Sequence, residues 1–111
     1  MSILEPELLK LSKQEIVDLI CSLANFEQKY MLGRGSSIPS AFFYALENKF
    51  HVPVANGMHG KAAAFCDRFN VEWDASCDSF DSPSGGGGTV TKKGLVKIAR
   101  AVQIASTVSN Y

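Results

Sequence analysis

The amino-acid sequence predicts a mainly α-helical fold, a compact bundle of four to five helices with a Gly-rich loop or small hairpin before the last helix. Apolar side chains recur at helical spacing in four segments, and glycine and proline separate these segments. The chain has 111 residues, of which 46% are hydrophobic, and this suffices for one modest core. We therefore expect a single helical domain over residues 1–111.

A helix over residues 13–30 has the strongest pattern in the chain. Ser12 is followed three residues later by Glu15, which is the spacing of a capping box. Apolar residues then recur at helical spacing: Ile16, Leu19, Ile20, Leu23, Phe26 and Tyr30. We expect the leucines within residues 8–11 to form a short helical or turn element that packs on this helix.

Three further helices are predicted. Pro39 suits the first turn of a helix over 39–50, because its missing N–H has no partner there in any case. A shorter helix is expected over 59–69, and Thr91 is a suitable N-cap for a last helix over 92–106. The apolar faces of these helices are Phe42, Phe43, Leu46 and Phe50; Ala62, Ala63, Phe65, Cys66 and Phe69; and Leu95, Ile98, Ala99, Val102 and Ala105.

Residues 70–90 lack the helical period. A short strand is expected around Trp73, and the remainder is rich in Ser, Asp, Pro and Gly. Four consecutive glycines at 85–88 cost much conformational entropy to order and accept positive φ freely. We expect this loop either to be mobile in the free protein or to be held by something that approaches its backbone closely.

Composition narrows the function classes. No apolar run reaches the length of a membrane span, and the first residues are acidic where a secretory signal is basic. We therefore expect a cytoplasmic protein without membrane contact. Cys21, Cys66 and Cys77 are an odd set without a closely spaced pair, which predicts reduced thiols and no disulfide.

The formal net charge is zero, but its distribution is uneven. Residues 1–60 contain five Lys/Arg and six Asp/Glu, residues 61–90 contain two and five, and residues 91–111 contain four and none. The chain therefore has an acidic middle and a basic end, and such asymmetry bears on the choice of partner.

The basic end forms a pattern along the predicted last helix. Lys93, Lys97 and Arg100 are spaced i, i+4 and i+7, which places them on one face, turned away from the apolar stripe; we call this set the basic ridge. Lys92 and Lys93 stand in the first turn, where unpaired N–H groups already carry partial positive charge. Cations and free N–H groups behind a glycine loop suit an anion such as phosphate.

Nucleic acid is the commonest polyanion that would use such a ridge, and DNA is the expected partner. We expect a non-catalytic DNA-binding or recognition domain, a module of a larger protein or complex, with the ridge along the DNA backbone or in the major groove. The candidate nucleic-acid-binding residues are Lys92, Lys93, Lys97, Arg100, Arg34, Ser36, Ser37, Gly87, Gly88 and Thr91. Arg34 lies in a Gly-rich turn beside two hydroxyls, and its guanidinium suits phosphate or a base edge.

Two alternatives remain open. The lysines and arginine can simply keep an exposed helix face solvated, with the acidic segment of Glu72, Asp74, Asp78 and Asp81 supplying counter-charge within the chain. The domain can also serve protein interaction or oligomerisation, with the basic helix docked on an acidic partner, including the 72–81 segment of a second copy.

No residue set predicts catalysis, a cofactor or a metal. The glycine loop does not match a Walker A motif, because its lysines are not followed at once by Ser or Thr. The elements of a zinc site at His51, His59, Cys66 and Cys77 are separated by 8, 7 and 11 residues, whereas structural zinc ligands come in close pairs. We therefore expect neither an enzyme nor a metalloprotein.

Overall fold

The computed structural model describes residues 5–25, 40–52, 57–79 and 89–108. Within these ranges the chain forms a bundle of five α-helices, and the predicted fold class is confirmed. The helices are α1 (Glu5–Leu9), α2 (Lys13–Ala24), α3 (Ser40–Phe50), α4 (Gly57–Arg68) and α5 (Lys92–Val108).

The capping box at the start of α2 is confirmed. Ser12 Oγ accepts a hydrogen bond from the Glu15 N–H at 3.1 Å, and Glu15 Oε1 accepts one from the Ser12 N–H at 2.8 Å. The helix ends earlier than predicted, because Asn25 adopts the left-handed conformation with φ of 60°. The predicted continuation beyond Ala24 is therefore wrong at Asn25, and residues 26–30 lie outside the described residues.

The helices α3 and α4 end in a similar way. His51 and Asn70 follow them with φ of 57° and 59°, in the left-handed region that stops a right-handed helix. After α4, the Val71 N–H turns back to donate to the Cys66 carbonyl at 2.8 Å. The bounds of α3, α4 and α5 thus agree with the predicted ones to within two residues.

The helix α5 is the centre of the bundle. It packs against α1, α2 and α4, and α2 makes the most extensive contact with it. The two run in the same direction, since Ser106 near the end of α5 donates to the Leu23 carbonyl near the end of α2 at 3.0 Å. At their beginnings, hydrogen bonds from Ser12 lower the pKa of Glu15, and the charge of Lys92 lowers it further.

More than half of the circumference of α5 is buried. The predicted apolar stripe is confirmed, and the buried face is wider than the stripe, covering roughly 220° of the helix. Its members are Gly94, Leu95, Val96, Ile98, Ala99, Ala101, Val102, Gln103 and Ala105.

An aromatic cluster joins α3 to the end of α4. The rings of Phe50, Phe65 and Phe69 contact one another with centroids 5.2–6.0 Å apart. Beside this cluster the ammonium group of Lys61 lies 3.5 Å from the ring centroid of Tyr44. Lys61 is only 8% exposed, so this cation–π contact gives a buried ammonium group a favourable neighbour.

The segment between α4 and α5 contains little regular structure. The predicted strand around Trp73 is wrong, because residues 71–74 pair with no strand and lead into a single 3₁₀ turn at Ala75–Cys77. A small antiparallel ribbon follows, formed by β1 (Asp78–Ser79) and β2 (Thr89–Val90), in agreement with the expected hairpin. The four glycines lie among residues 80–88, outside the described part of the chain.

The start of α5 is fixed to the 3₁₀ turn through one carbonyl group. The Cys77 carbonyl accepts hydrogen bonds from both the N–H, at 3.2 Å, and the hydroxyl of Thr91. Thr91 Oγ1 in turn accepts from the Gly94 N–H at 3.1 Å, which confirms Thr91 as the N-cap. A Cβ atom at Gly94 would stand 2.1 Å from the Cys77 oxygen and 2.7 Å from a methyl group of Val90. Only glycine allows this close approach.

We predict that Gly94→Ala destabilises the protein by about 1–3 kcal/mol, because the new methyl group forces the 3₁₀ turn away from α5. Glycine to alanine within a helix normally stabilises by up to about 1 kcal/mol, so the sign of the effect is diagnostic. Denaturant unfolding measures it, with the exposed helix position Ser22→Ala as the control. A Gly94→Ala variant as stable as the native chain would contradict the close packing.

Candidate nucleic-acid interface

The basic ridge lies on the arc of α5 that the core leaves uncovered. Lys93 is exposed, the Lys97 side chain is 15% exposed and the Arg100 side chain 40% exposed. The predicted placement of these three cations on one face, opposite the apolar stripe, therefore agrees with the structure. Their access to solvent decreases sharply between Lys93 and Lys97.

A carboxylate from α1 explains this loss of access. Glu5 Oε2 lies 3.4 Å from Lys97 Nζ, and Glu5 Oε1 lies 3.4 Å from Arg100 Nη1. The helix α1 packs along α5 at this point, and its carboxylate interrupts the basic ridge at Lys97 and Arg100. Local spacing reveals which residues share a helix face, but it does not reveal which distant element covers that face.

The N-terminal end of α5, formed by Lys92 and Lys93, is arranged differently. The first turn contains no acidic side chain, and among the described residues neither lysine forms a direct salt bridge. Each lysine interacts with one carboxylate over a longer distance. Hydrogen bonds from Ser12 lower the pKa of Glu15 most, and the charge of Lys92 lowers it further. The charge of Lys93 likewise contributes to the lowered pKa of Asp74.

Asp74 belongs to the acidic segment, Glu72 to Asp81, which the sequence offers as counter-charge within the chain. The hydroxyl and the backbone N–H of Ser76 donate to its carboxylate and lower its pKa most, and the charges of Lys93 and Lys97 lower it further. The acidic segment thus contributes Asp74 to the balance of charge around α5. The other contributor, Glu5, could not be identified from the sequence, since nothing in the local pattern connects it to residues 97–100.

The remaining candidate residues divide into two groups. The Thr91 hydroxyl already donates to the Cys77 carbonyl and accepts from Gly94, so its hydrogen-bonding capacity is directed toward capping the helix. Arg34, Ser36, Ser37, Gly87 and Gly88 lie outside the described residues.

The burial of α5 restricts how a polyanion can approach. A recognition helix that enters a DNA groove must present a long exposed face to the bases. In this structure, neighbouring elements cover roughly 220° of the circumference of α5. The helix α1 covers part of the remainder through Glu5. The N-terminal end of α5 is therefore more open to an approaching anion than the rest of the helix.

Metal and thiol chemistry have little support in the described residues. No group of three His, Cys, Asp or Glu side chains in that part of the chain is placed to hold a metal ion. Cys21, Cys66 and Cys77 are all buried and free. Burial raises the pKa of Cys66 to about 12, so this side chain is a thiol at neutral pH.

Comparison with known proteins adds no relative: no protein-family model matches this chain, and neither the curated proteins nor the solved structures yield a match. None of the described helices has the length and apolar character that crossing a membrane requires. Any function must therefore be argued from the residues themselves.

We predict that the pKa of Asp74 rises in Ser76→Ala and rises less in Lys93→Met, because the hydrogen bonds from Ser76 outweigh the charge of Lys93. Because the pKa of Asp74 is lower in the folded protein, its ionisation stabilises the fold fully when the pH is above the ordinary carboxyl pKa of 3.8. This stabilisation is lost as the pH falls through the lowered pKa. Titration of the side-chain carboxyl by NMR measures each shift. Lys10→Met serves as the control, and an Asp74 pKa unchanged by Lys93→Met would place the lysine elsewhere.

Proposed function

We propose that this domain is a non-catalytic DNA-binding domain that contacts phosphate groups through the N-terminal end of α5. The observation that carries the proposal is the pair Lys92 and Lys93 in a first turn without acidic side chains, where neither forms a direct salt bridge among the described residues. The aligned peptide dipoles add partial positive charge at the same place.

The two other cations of the ridge have a secondary role in this proposal. Lys97 and Arg100 hold Glu5 between them, so a phosphate must compete with that carboxylate to reach them. Such partly exposed ion pairs contribute at most about 1 kcal/mol each, which a polyanion in contact with the neighbouring lysines can offset. Glu5 then limits affinity rather than preventing binding.

Phosphate contacts at one helix end position a protein on DNA but carry no sequence information. Under this proposal any base contact comes from residues 33–37 or 85–88, with Arg34, Ser36, Ser37, Gly87 and Gly88 as the candidates. We propose that this non-catalytic domain is a DNA-binding module of a larger cytoplasmic protein or complex, and that another part of that protein or complex carries any catalytic activity.

The second candidate function is protein interaction or self-association with an acidic partner. The observation that favours it is that two carboxylates act on the ridge within the described structure: Glu5 by direct contact, and Asp74 through its lowered pKa. An acidic segment of another chain would offer the same groups. Sedimentation across a salt series separates the two functions, because self-association raises the mass of the protein alone at low salt.

We predict that Lys92→Ala combined with Lys93→Ala weakens binding to a labelled DNA duplex and reduces the slope of log affinity against log salt by about 1.8, the loss of two phosphate contacts. The matched control is Lys10→Ala combined with Lys49→Ala, which removes the same charge from the turn after α1 and from α3. Fluorescence anisotropy over a salt series measures both. Equal weakening by the two double variants would show that net charge, not this end of α5, determines binding.

The same experiment includes Glu5→Gln, which frees Lys97 and Arg100 from their carboxylate. We expect tighter binding and a steeper salt dependence for this variant, because two more cations become available to phosphate. Absence of any duplex or single-strand binding by the native protein at low salt would overturn the proposed function.

A further inference from the structure

A groove lies on another part of the surface, between the second half of α4 and the segment that follows it. Its volume, open solvent included, is about 820 Å³. The lining residues are Ala63, Ala64, Asp67, Val71, Glu72 and Trp73.

The floor of this groove is apolar and made of small side chains. Ala63 and Ala64 are half-buried neighbours on α4, and Val71 is buried beside them. Alanine side chains allow the backbone or a side chain of a ligand to approach closely. The Trp73 indole, half-buried against the core, forms a flat apolar wall of the kind that anchors partners at protein interfaces.

The charged groups of the groove are both acidic. Asp67 and Glu72 are exposed, and neither carboxylate forms a salt bridge among the residues that the structure describes. The two carboxylates repel a polyanion. Together with the apolar floor, they favour a ligand that has both positive charge and apolar side chains. The groove is therefore complementary to a ligand quite different from the one proposed for α5.

We propose that this groove binds a basic, amphipathic segment of a protein partner. Apolar side chains of the segment pack between the two alanines and Trp73, while Lys or Arg side chains pair with Asp67 and Glu72. A second copy of this chain is a poor occupant, because two of the three cations of its basic ridge, Lys97 and Arg100, are already held by its own Glu5. The proposal uses none of the residues assigned to DNA contact and stands independently of that function.

Trp73 provides a direct probe, since it is the only tryptophan in the chain. The test is a fluorescence titration of the full chain with a synthetic helical peptide of about 15 residues, with leucine on one face and lysine on the other. We expect saturable binding with a shift of the Trp73 emission to shorter wavelength, because the bound peptide shields the indole from water. A peptide with glutamate in place of every lysine is the matched ligand control and should not bind.

The variant Asp67→Asn with Glu72→Gln should reduce the peptide affinity roughly tenfold, as expected for loss of two charge pairs at the rim of an interface. Glu7→Gln with Glu47→Gln removes the same charge elsewhere and should leave the affinity unchanged. All the substituted side chains are exposed or half-buried, and thermal unfolding verifies that each variant is folded.

Three outcomes would overturn the proposal. Equal binding of the lysine and glutamate peptides would show that the groove recognises apolar surface alone. Unchanged affinity in Asp67→Asn with Glu72→Gln would place the peptide at another site. An emission shift that appears on raising the protein concentration, without peptide, would identify a second copy as the occupant.

Discussion

The burial of α5 is the constraint on which the rest of the structure depends. Four of the five helices described form one assembly because α1, α2 and α4 all pack on this helix, and small residues such as Ala99, Ala101 and Ala105 let them approach. Its first turn is fixed by the Cys77 carbonyl, which requires glycine at position 94. Because so much of the circumference of this helix is buried, Lys93, Lys97 and Arg100 lie on the remaining arc and form the basic ridge there.

Sequence reasoning succeeded where the determining interaction is local. The capping box at Ser12, the N-cap at Thr91 and the apolar stripe of α5 all follow from residues within one or two turns of each other, and the structure confirms each. It failed where the interaction spans the chain. The pairing of Glu5 with residues 97–100 crosses more than ninety positions, and no helical period encodes it. The end of α2 was missed because a single left-handed Asn25 outweighs the apolar pattern that continues beyond it.

The two proposed surfaces have opposite electrostatic character although the chain is neutral. The lysines of the N-terminal end of α5 repel cations and attract phosphate, whereas Asp67 and Glu72 do the reverse at the groove. The negative charge of Asp74 partly offsets the positive charge of Lys93. A domain with such separated charge can bind a polyanion and a basic partner without the two ligands competing for the same side chains.

The N-terminal end of α5 is accessible, whereas α1 covers the middle of its basic face. Lysine acetylation rates, followed residue by residue with mass spectrometry, measure this difference. We predict that Lys93 reacts about as fast as Lys10, whose side chain is 73% exposed, and that Lys97, whose side chain is 15% exposed, reacts several-fold more slowly. Equal rates at Lys93 and Lys97 would contradict it, because they would show that α1 does not cover the ridge in solution.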